Sequence, residues 1–228
     1  MVWKRLRLPA LLVAVSGALG VVARTPLVTE HDLRADEAVG TLRSPVLTAI
    51  ADGLDIAFRP LAGIMIIAAL AVVLAAMGRA RTAVLVTAMV TIGWTTGSVL
   101  KRIIARPRPP LSGQLLHMTG HDSFPSGHVT LTLSLVIAAC FLAAGTRRFR
   151  LVVCVGAVLV AAQAFARVYL GVHYPTDVIG ALPAAAAGTS AVIALRDGVG
   201  GRFGRAPLSA APPGRRRRRG SRDAGDDA

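Results

Sequence analysis

Residues 151–166 read LVVCVGAVLVAAQAFA and contain no Lys, Arg, Asp or Glu. Five more uncharged runs of this kind occur, at Leu8–Ala23, Leu61–Met77, Thr82–Leu100, Val129–Ala144 and Val178–Leu195. In a helix that rises about 1.5 Å per residue, the shortest of them span roughly 24 Å, and flanking residues complete the ~30 Å hydrocarbon core. Six such runs exceed what the core of a soluble protein of 228 residues needs. The sequence therefore predicts an all-α integral-membrane bundle of six transmembrane helices.

The composition excludes two broad classes of protein. Hydrophobic residues make up 54% of the chain and charged residues only 17%, whereas a soluble domain carries roughly 25% charge. Because the apolar residues are gathered into runs, neither a water-soluble globule nor a largely disordered chain fits. The two cysteines, Cys140 and Cys154, lie inside apolar runs and indicate no disulfide framework.

The net charge of +14 reflects membrane topology. Most of the basic residues lie before the first run, in the turns at Arg79–Arg81 and Arg147–Arg150, and in the tail after Leu195. The positive-inside rule then places both termini in the cytoplasm, with an uncleaved first helix preferred over a signal peptide. No basic surface interleaved with aromatic residues occurs, so we expect no nucleic-acid partner.

Two segments outside the runs have their own composition. In the external connection Arg24–Pro60, Ser44-Pro45 is typical of a helix start, and residues 44–58 predict an amphipathic helix at the outer interface, packed on the bundle. The chain then divides into a membrane domain, 1–196, and a disordered basic cytoplasmic tail, 197–228. The run Arg215–Arg219 either contacts anionic lipid headgroups or is simply solvated.

Polar residues interrupt the apolar pattern in two external loops, Lys101–Gly127 and Arg167–Asp177. The cations in these loops are Lys101, Arg108 and Arg167, and they lie on the side of the membrane where positive charge is otherwise scarce. An anionic ligand is the simplest reason for their presence. The two arginines can each grip a phosphate through a planar pair of donors, and the lysine adds a compact charge.

The remaining polar residues of these loops suit phosphoryl chemistry. Ser126 and Gly127 precede the fourth run, where a helix N-terminus offers free N–H groups to an anion. His128 can donate a proton to a leaving oxygen. His173 can act as a nucleophile, and Asp177 can fix its tautomer. Each residue alone has an ordinary structural reading as a cap, a turn or a hydrogen-bonding side chain; the argument rests on their joint occurrence in this order.

The three stretches resemble the type 2 phosphatidic acid phosphatases, a family related to bacterial acid phosphatases and vanadium haloperoxidases. The family pattern is K-x6-R-P, P-S-G-H and S-R-x5-H-x3-D, and here it reads KRIIARPRP (Lys101–Pro109), PSGH (Pro125–His128) and ARVYLGVHYPTD (Ala166–Asp177). One position departs from the pattern, because Ala166 replaces the usual serine and removes a hydroxyl contact to phosphate.

The resemblance implies a role for each matching residue. His173 is similar to the nucleophile that forms a phosphohistidine, Asp177 to its orienting partner, and His128 to the acid for the departing group. The phosphate-binding set implied is Lys101, Arg108, Ser126, Gly127 and Arg167. Relatives of this kind use no metal and no cofactor, and the sequence has no carboxylate cluster of the two-metal type.

The function that we expect is hydrolysis of a lipid phosphate or diphosphate at the extracytoplasmic border of a bacterial plasma membrane. Phosphatidate, phosphatidylglycerol phosphate and polyprenyl diphosphate are compatible substrates, with the polyprenyl carrier the most attractive; the other expected partners are membrane lipids. Three alternatives stay open: a transporter or binding protein for anionic lipids without chemistry, a phosphotransferase, and a vanadate-dependent peroxidase. The six membrane spans disfavour the peroxidase, and the His173–Asp177 pair disfavours the binding protein.

Overall fold

The structure is a computed structural model that describes residues 2–200, with side chains described for residues 4–196. Every regular element in this part of the chain is helical, which confirms the all-α prediction. The α-helices are α1 (Val2–Arg5), α2 (Arg7–Ala23), α3 (Pro26–Gly40), α4 (Pro45–Ala57), α5 (Pro60–Ala76), α6 (Ala80–Ile104), α7 (Gly127–Ala143), α8 (Phe149–Tyr169) and α9 (Pro175–Gly200). A single 3-10 turn, Leu111–Gly113, lies in the α6–α7 connection. The tail expected from residue 197 overlaps the end of α9, and Arg215–Arg219 fall outside the described residues.

The six predicted runs correspond to α2, α5, α6, α7, α8 and α9, which differ in length. Among the described helices, α6, α8 and α9 are the ones long and apolar enough to cross a membrane individually. Two bent pairs, α2 with α3 at 85° and α4 with α5 at 59°, raise the number to five, and α7 is a shorter apolar helix. At 17 residues each, α2, α5 and α7 reach about 26 Å. The total of six spans therefore stays a prediction.

Helix α9 lies at the centre of the bundle and packs against α2, α6 and α7. Glycines allow these helices to approach closely, as is usual in membrane bundles. Where α6 crosses α9, a Cβ added to Gly188 would lie 2.6 Å from the Cα of Gly93. Gly20 and Gly180 leave room for the buried ring of Phe124 between α2 and α9. Backbone contact at these crossings fixes the relative positions of the helices that carry the polar motifs.

Helix α4 packs against α8, and part of its apolar face points away from the bundle. It begins after Ser44, whose Oγ accepts the Leu47 N–H, and the Tyr169 hydroxyl bonds to both Ser44 and Thr48. Its apolar residues Val46 and Ile50 are 70% and 54% exposed, whereas Asp55 is 3% exposed. The inward face of α4 is mixed, because Ala51 and Leu54 pack in an apolar cluster beside the buried carboxylate of Asp55. The outward apolar face suits contact with lipid.

The two ends of the bundle differ in charge. At one end, the turns that join α5 to α6 and α7 to α8 carry exposed arginines, Arg79, Arg81, Arg147, Arg148 and Arg150. The opposite end holds the C-termini of α6 and α8, the N-termini of α7 and α9, and the helices α3 and α4. All three sequence motifs lie at this second end.

Candidate active site

Four helix ends place the predicted residues around one point. Lys101 lies in the last turn of α6, which stops at Ala105 in the left-handed conformation (φ 46°). His128 lies in the first turn of α7, and Arg167 in the last turn of α8. His173 and Asp177 flank Pro175, the first residue of α9. Residues distant in sequence therefore meet because the ends of four packed helices meet.

His173 is 2% exposed and points one ring nitrogen at a carboxylate. Its Nδ1 lies 3.5 Å from Asp177 Oδ2 and 3.5 Å from Ser123 Oγ. The same Oδ2 accepts the Tyr174 N–H at 2.9 Å and the Ser123 hydroxyl, so its position is fixed from several sides. This arrangement favours the tautomer with the proton on Nδ1 and leaves Nε2 with a free lone pair.

The surroundings of His173 favour its neutral form. Burial lowers the pKa of His173 well below its ordinary value, and the positive charges of Lys101, Arg108, Arg167 and His128 lower it further. All four groups were predicted from the sequence to face a phosphoryl group together with His173. An imidazole among cations stays unprotonated, which is the state that a nucleophile requires.

Lys101 and Arg108 share a partner that the sequence analysis did not identify. Arg108 Nε donates to Asp122 Oδ1 at 2.9 Å and Nη1 to the Val172 carbonyl at 2.9 Å, while Lys101 Nζ bonds the Asp122 carbonyl. Burial raises the pKa of Asp122, but the hydrogen bond and charge of Arg108, with Lys101, lower it overall. The carboxylate is half exposed at the edge of the cluster.

Ser126 and Gly127 form the start of α7, as their position in the sequence indicates. Ser126 occupies the N-cap position, yet its side chain makes no cap hydrogen bond. Among the described side chains, its Oγ is buried without a hydrogen-bond partner, and so is Arg167 Nε. Gly127 lies beside the Lys101 side chain, with 3.6 Å between an added Cβ and Lys101 Cε. Buried donors without partners are rare in proteins, and a pair at one place indicates a polar ligand.

Arg167 and His128 converge on a carboxylate that was not predicted as a site residue. Arg167 is fully buried, and its Nη1 bonds Asp55 Oδ1. The same oxygen lies 3.3 Å from His128 Nε2, within ion-pair range but not aligned as a hydrogen bond. Asp55 belongs to α4, so this external helix contributes directly to the site.

Arg106 lies on the far side of Asp177, and the sequence analysis missed it as well. It is 1% exposed and donates to Asp177 Oδ1 at 2.7 Å, to Asp32 Oδ2 at 2.8 Å and to Thr176 Oγ1. Its guanidinium also lies 4.1 Å from the centre of the Tyr174 ring. Arg106 stands two residues before Arg108, so the RPRP sequence is the one signal that pointed to it.

Ala166, where the family pattern has serine, is buried in an apolar cluster with Ala51, Tyr169, Leu170 and Val172. Its methyl group packs where a hydroxyl would need a partner. The three histidines outside the motifs, His31, His117 and His121, are exposed.

Comparison with solved structures shows the fold. A transmembrane PAP2-type phosphatidylglycerolphosphate phosphatase from Bacillus subtilis superposes with a TM-score of 0.72 at 24% identity, covering 86% of this chain and 98% of that one. Aquifex aeolicus LpxE superposes with a TM-score of 0.57 at 20% identity, covering 72% and 94%. No curated protein matches the chain. With its apolar helices, this likeness identifies an integral membrane protein.

The family model described as PAP2 superfamily matches residues 81–198, which is more than half of the chain. The matched segment contains all three motifs, from Lys101 to Asp177. It thus confirms the resemblance seen in the sequence, and the chain belongs to the PAP2 superfamily.

Proposed function

We propose that this protein is an integral-membrane lipid phosphatase that hydrolyses a phosphomonoester or diphosphate through a phosphohistidine on His173. The observation that supports this most strongly is the convergence of Lys101, Arg108, Arg167 and His128 on the buried His173, whose pKa is lowered by burial and by these charges. Such a cluster attracts a phosphoryl group and keeps the attacking nitrogen unprotonated at the same time.

In the first step, Nε2 of His173 attacks phosphorus while the bond to the leaving oxygen breaks. Lys101, Arg108 and Arg167 bind the phosphoryl oxygens and stabilise the charge that develops on them. Asp177 accepts the hydrogen bond from Nδ1–H and stabilises the imidazolium that forms. His128 gives its proton to the departing alcohol or phosphate oxygen.

In the second step, water replaces the histidine. The imidazole of His128, now without its proton, accepts one from a water molecule as the water oxygen attacks phosphorus. The N–P bond breaks, inorganic phosphate forms, and His173 returns to its neutral state with the electron pair on Nε2. A phosphotransferase would follow the same course with an alcohol in place of water.

A lipid substrate suits the location of the site. The motif residues lie at the ends of apolar helices, and the outward face of α4 beside them is apolar. An amphiphile can therefore present its headgroup to the cations while its chains stay in the bilayer. The candidates are phosphatidylglycerol phosphate, which the name of the Bacillus subtilis relative mentions, phosphatidate and a polyprenyl diphosphate such as undecaprenyl diphosphate.

The proposed location is the plasma membrane, with the site on its extracytoplasmic face and both termini in the cytoplasm. The support is the charge difference between the two ends of the bundle. Arg79, Arg81 and Arg147–Arg150 lie at the end opposite the site, and the positive-inside rule assigns that end to the cytoplasm.

The test is phosphate release by purified protein in detergent with EDTA, over a panel of these three lipids. We expect turnover of at least one lipid, loss of that turnover in His173→Ala, and no loss in His117→Ala, which changes an exposed histidine outside the motifs. Activity that survives in His173→Ala would refute the assigned nucleophile. Tight lipid binding without any phosphate release would favour the binding protein instead.

A further inference from the structure

Helix α4 lies outside residues 81–198 that match the family model, yet it supplies a carboxylate to the cluster of donors. Asp55 is 3% exposed. Its Oδ1 accepts a hydrogen bond from Arg167 Nη1 and lies 3.3 Å from His128 Nε2. Its Oδ2 is held by Arg59, at 2.9 Å from Nε and 2.8 Å from Nη2. A carboxylate in this position must influence whatever His128 does.

Two readings of this contact predict opposite effects. If Asp55 only fills the phosphate site in the resting protein, then its removal strengthens phosphate binding and speeds the reaction. If Asp55 serves His128, then its removal weakens catalysis. A carboxylate beside an imidazole stabilises the protonated ring and fixes its orientation.

The anchoring of Asp55 favours the second reading. Arg59 fixes one carboxylate oxygen, and α4 itself is fixed by the Tyr169 hydroxyl, which bonds Ser44 and Thr48. Ala51, one turn before Asp55, is buried against Tyr169. These contacts hold Asp55 in place within the site.

The two ring nitrogens of His128 face different partners. Asp55 lies at Nε2, so Nδ1 is the nitrogen left to face the substrate. In the first step Nδ1–H transfers its proton to the leaving oxygen as the P–O bond breaks. In the second step Nδ1 takes a proton from the attacking water. Each time Asp55 remains ionised, and its charge compensates the imidazolium.

We propose that Asp55 is a positioning residue that orients His128 and compensates its positive charge when it acts as the proton donor to the leaving group. The proposal rests on the phosphatase function proposed above. It makes α4 part of the active site and pairs each histidine with its own carboxylate, His173 with Asp177 and His128 with Asp55.

The test compares two substrates that differ in their need for a proton. An alkyl phosphate such as phosphatidate has a poor leaving group that must be protonated, whereas the nitrophenolate of p-nitrophenyl phosphate departs without a proton. The detergent-purified full chain is assayed as wild type, Asp55→Asn and Asp52→Asn. Asp52 is the matched control, because it is an exposed carboxylate on the same helix.

We compare kcat/KM, which reports formation of the phosphohistidine and not its hydrolysis. For Asp55→Asn we expect kcat/KM on phosphatidate to fall about 100-fold or more, the range that general acid catalysis supplies, and kcat/KM on p-nitrophenyl phosphate to fall less than about tenfold. Asp52→Asn should match wild type on both substrates. Arg59 has an exposed side chain, and Arg59→Gln removes its bonds to one oxygen of Asp55. This variant should also lose more activity on phosphatidate than on p-nitrophenyl phosphate, with a smaller difference between the two substrates. This second variant keeps the test decisive if Asp55→Asn does not fold.

Equal losses on both substrates in Asp55→Asn would overturn the proposal, since a merely structural role predicts that result. So would faster turnover together with tighter inhibition by vanadate, which the resting-anion reading predicts. If Asp55→Asn does not fold, unchanged substrate preference in Arg59→Gln would overturn it. Failure of wild type to release phosphate from either substrate would refute the proposed phosphatase function itself and is therefore distinct from these outcomes.

Discussion

At the scale of single residues, His173 meets two requirements through different neighbours. Burial and the cations around it lower the pKa of the ring and so favour its neutral form, and Asp177 beside Nδ1 favours the tautomer with the free lone pair on Nε2. In the proposed mechanism the cations also bind the phosphoryl group that is attacked, so one set of charges would serve both substrate binding and the nucleophile. A phosphoryl group that arrives in the site offsets their repulsion of the imidazolium.

This charge arrangement predicts a shift in the pH profile. Because the pKa of His173 lies below its ordinary value of about 6.5, its attacking form persists into mildly acid solution, and kcat/KM declines only below that pH. Lys101→Met removes one positive charge, raises the pKa of His173 and moves the acid limb to higher pH. The measurement is kcat/KM for p-nitrophenyl phosphate against pH. Arg102 is an exposed cation next to Lys101 in sequence, so Arg102→Met should not shift the acid limb of the pH profile. A shift in Arg102→Met equal to that in Lys101→Met would contradict the prediction.

Arg106 gives a second prediction at this scale, since it holds Asp177 and Asp32 together. In Arg106→Gln we expect kcat to fall about 100-fold with little change in KM, because a small displacement of Asp177 misaligns His173. The free energy of unfolding should also fall by about 3–5 kcal/mol, since two buried carboxylates lose their cation.

Steady-state kinetics and thermal melting in detergent measure these two effects of Arg106→Gln. A variant with normal kcat but a lower melting temperature would show that Arg106 serves the fold alone. Arg102→Gln again provides the control.

How far the site could be predicted differs between the motif residues and their partners. Lys101, His128 and His173 stand out in sequence because polar residues interrupt apolar runs at fixed spacings. Asp32 and Asp55 lie in a connection where several carboxylates occur, and nothing local separates a buried one from the exposed Asp52. Their roles depend on contacts over more than 70 positions, which spacing does not encode.

At the scale of elements, the positions of helices follow from apolar runs and cap residues, whereas their orientation follows from packing. Pro175 opens α9 and Ser44 precedes α4, as the sequence predicts. The direction in which α4 faces was harder to predict, because its inward face combines the apolar Ala51 and Leu54 with the buried Asp55. Arg59 and Arg167 provide the polar partners of Asp55.

The crossing of α6 and α9 carries a prediction of its own. Gly188→Ala places a Cβ 2.6 Å from the backbone of Gly93, which must move, and we expect a loss of about 1–3 kcal/mol in unfolding free energy. Gly17→Ala, on α2, has nothing within 4 Å and should leave the melting temperature unchanged or higher. Equal melting temperatures in the two variants would show that the contact between α6 and α9 accommodates the added methyl group without loss of stability.

At the scale of the whole molecule, the two ends of the bundle differ in charge and in the residues that they hold. One end carries exposed arginines that suit the cytoplasmic surface, and the other gathers the catalytic candidates. The short lengths of α2, α5 and α7 leave the number of complete spans at three to five by composition and length. The bends toward α3 and α4 bring those polar helices over the site end.

This topology predicts which cysteines react from outside the cell. With Cys140 and Cys154 replaced by alanine, Ser112→Cys lies at the site end and Thr146→Cys in the turn between α7 and α8. A membrane-impermeant maleimide should label Ser112→Cys in intact cells, and Thr146→Cys only after permeabilisation. The reverse pattern would place the site on the cytoplasmic face.

The central claim, that His173 carries the phosphoryl group, is tested most directly by trapping the intermediate. Purified protein is mixed with lipid carrying a ³²P label in its terminal phosphate, quenched in alkali, and digested for peptide analysis. We predict an acid-labile, alkali-stable label on the peptide that contains His173, absent from His173→Ala. Label on another residue, or phosphate release at the wild-type rate by His173→Ala, would contradict the account.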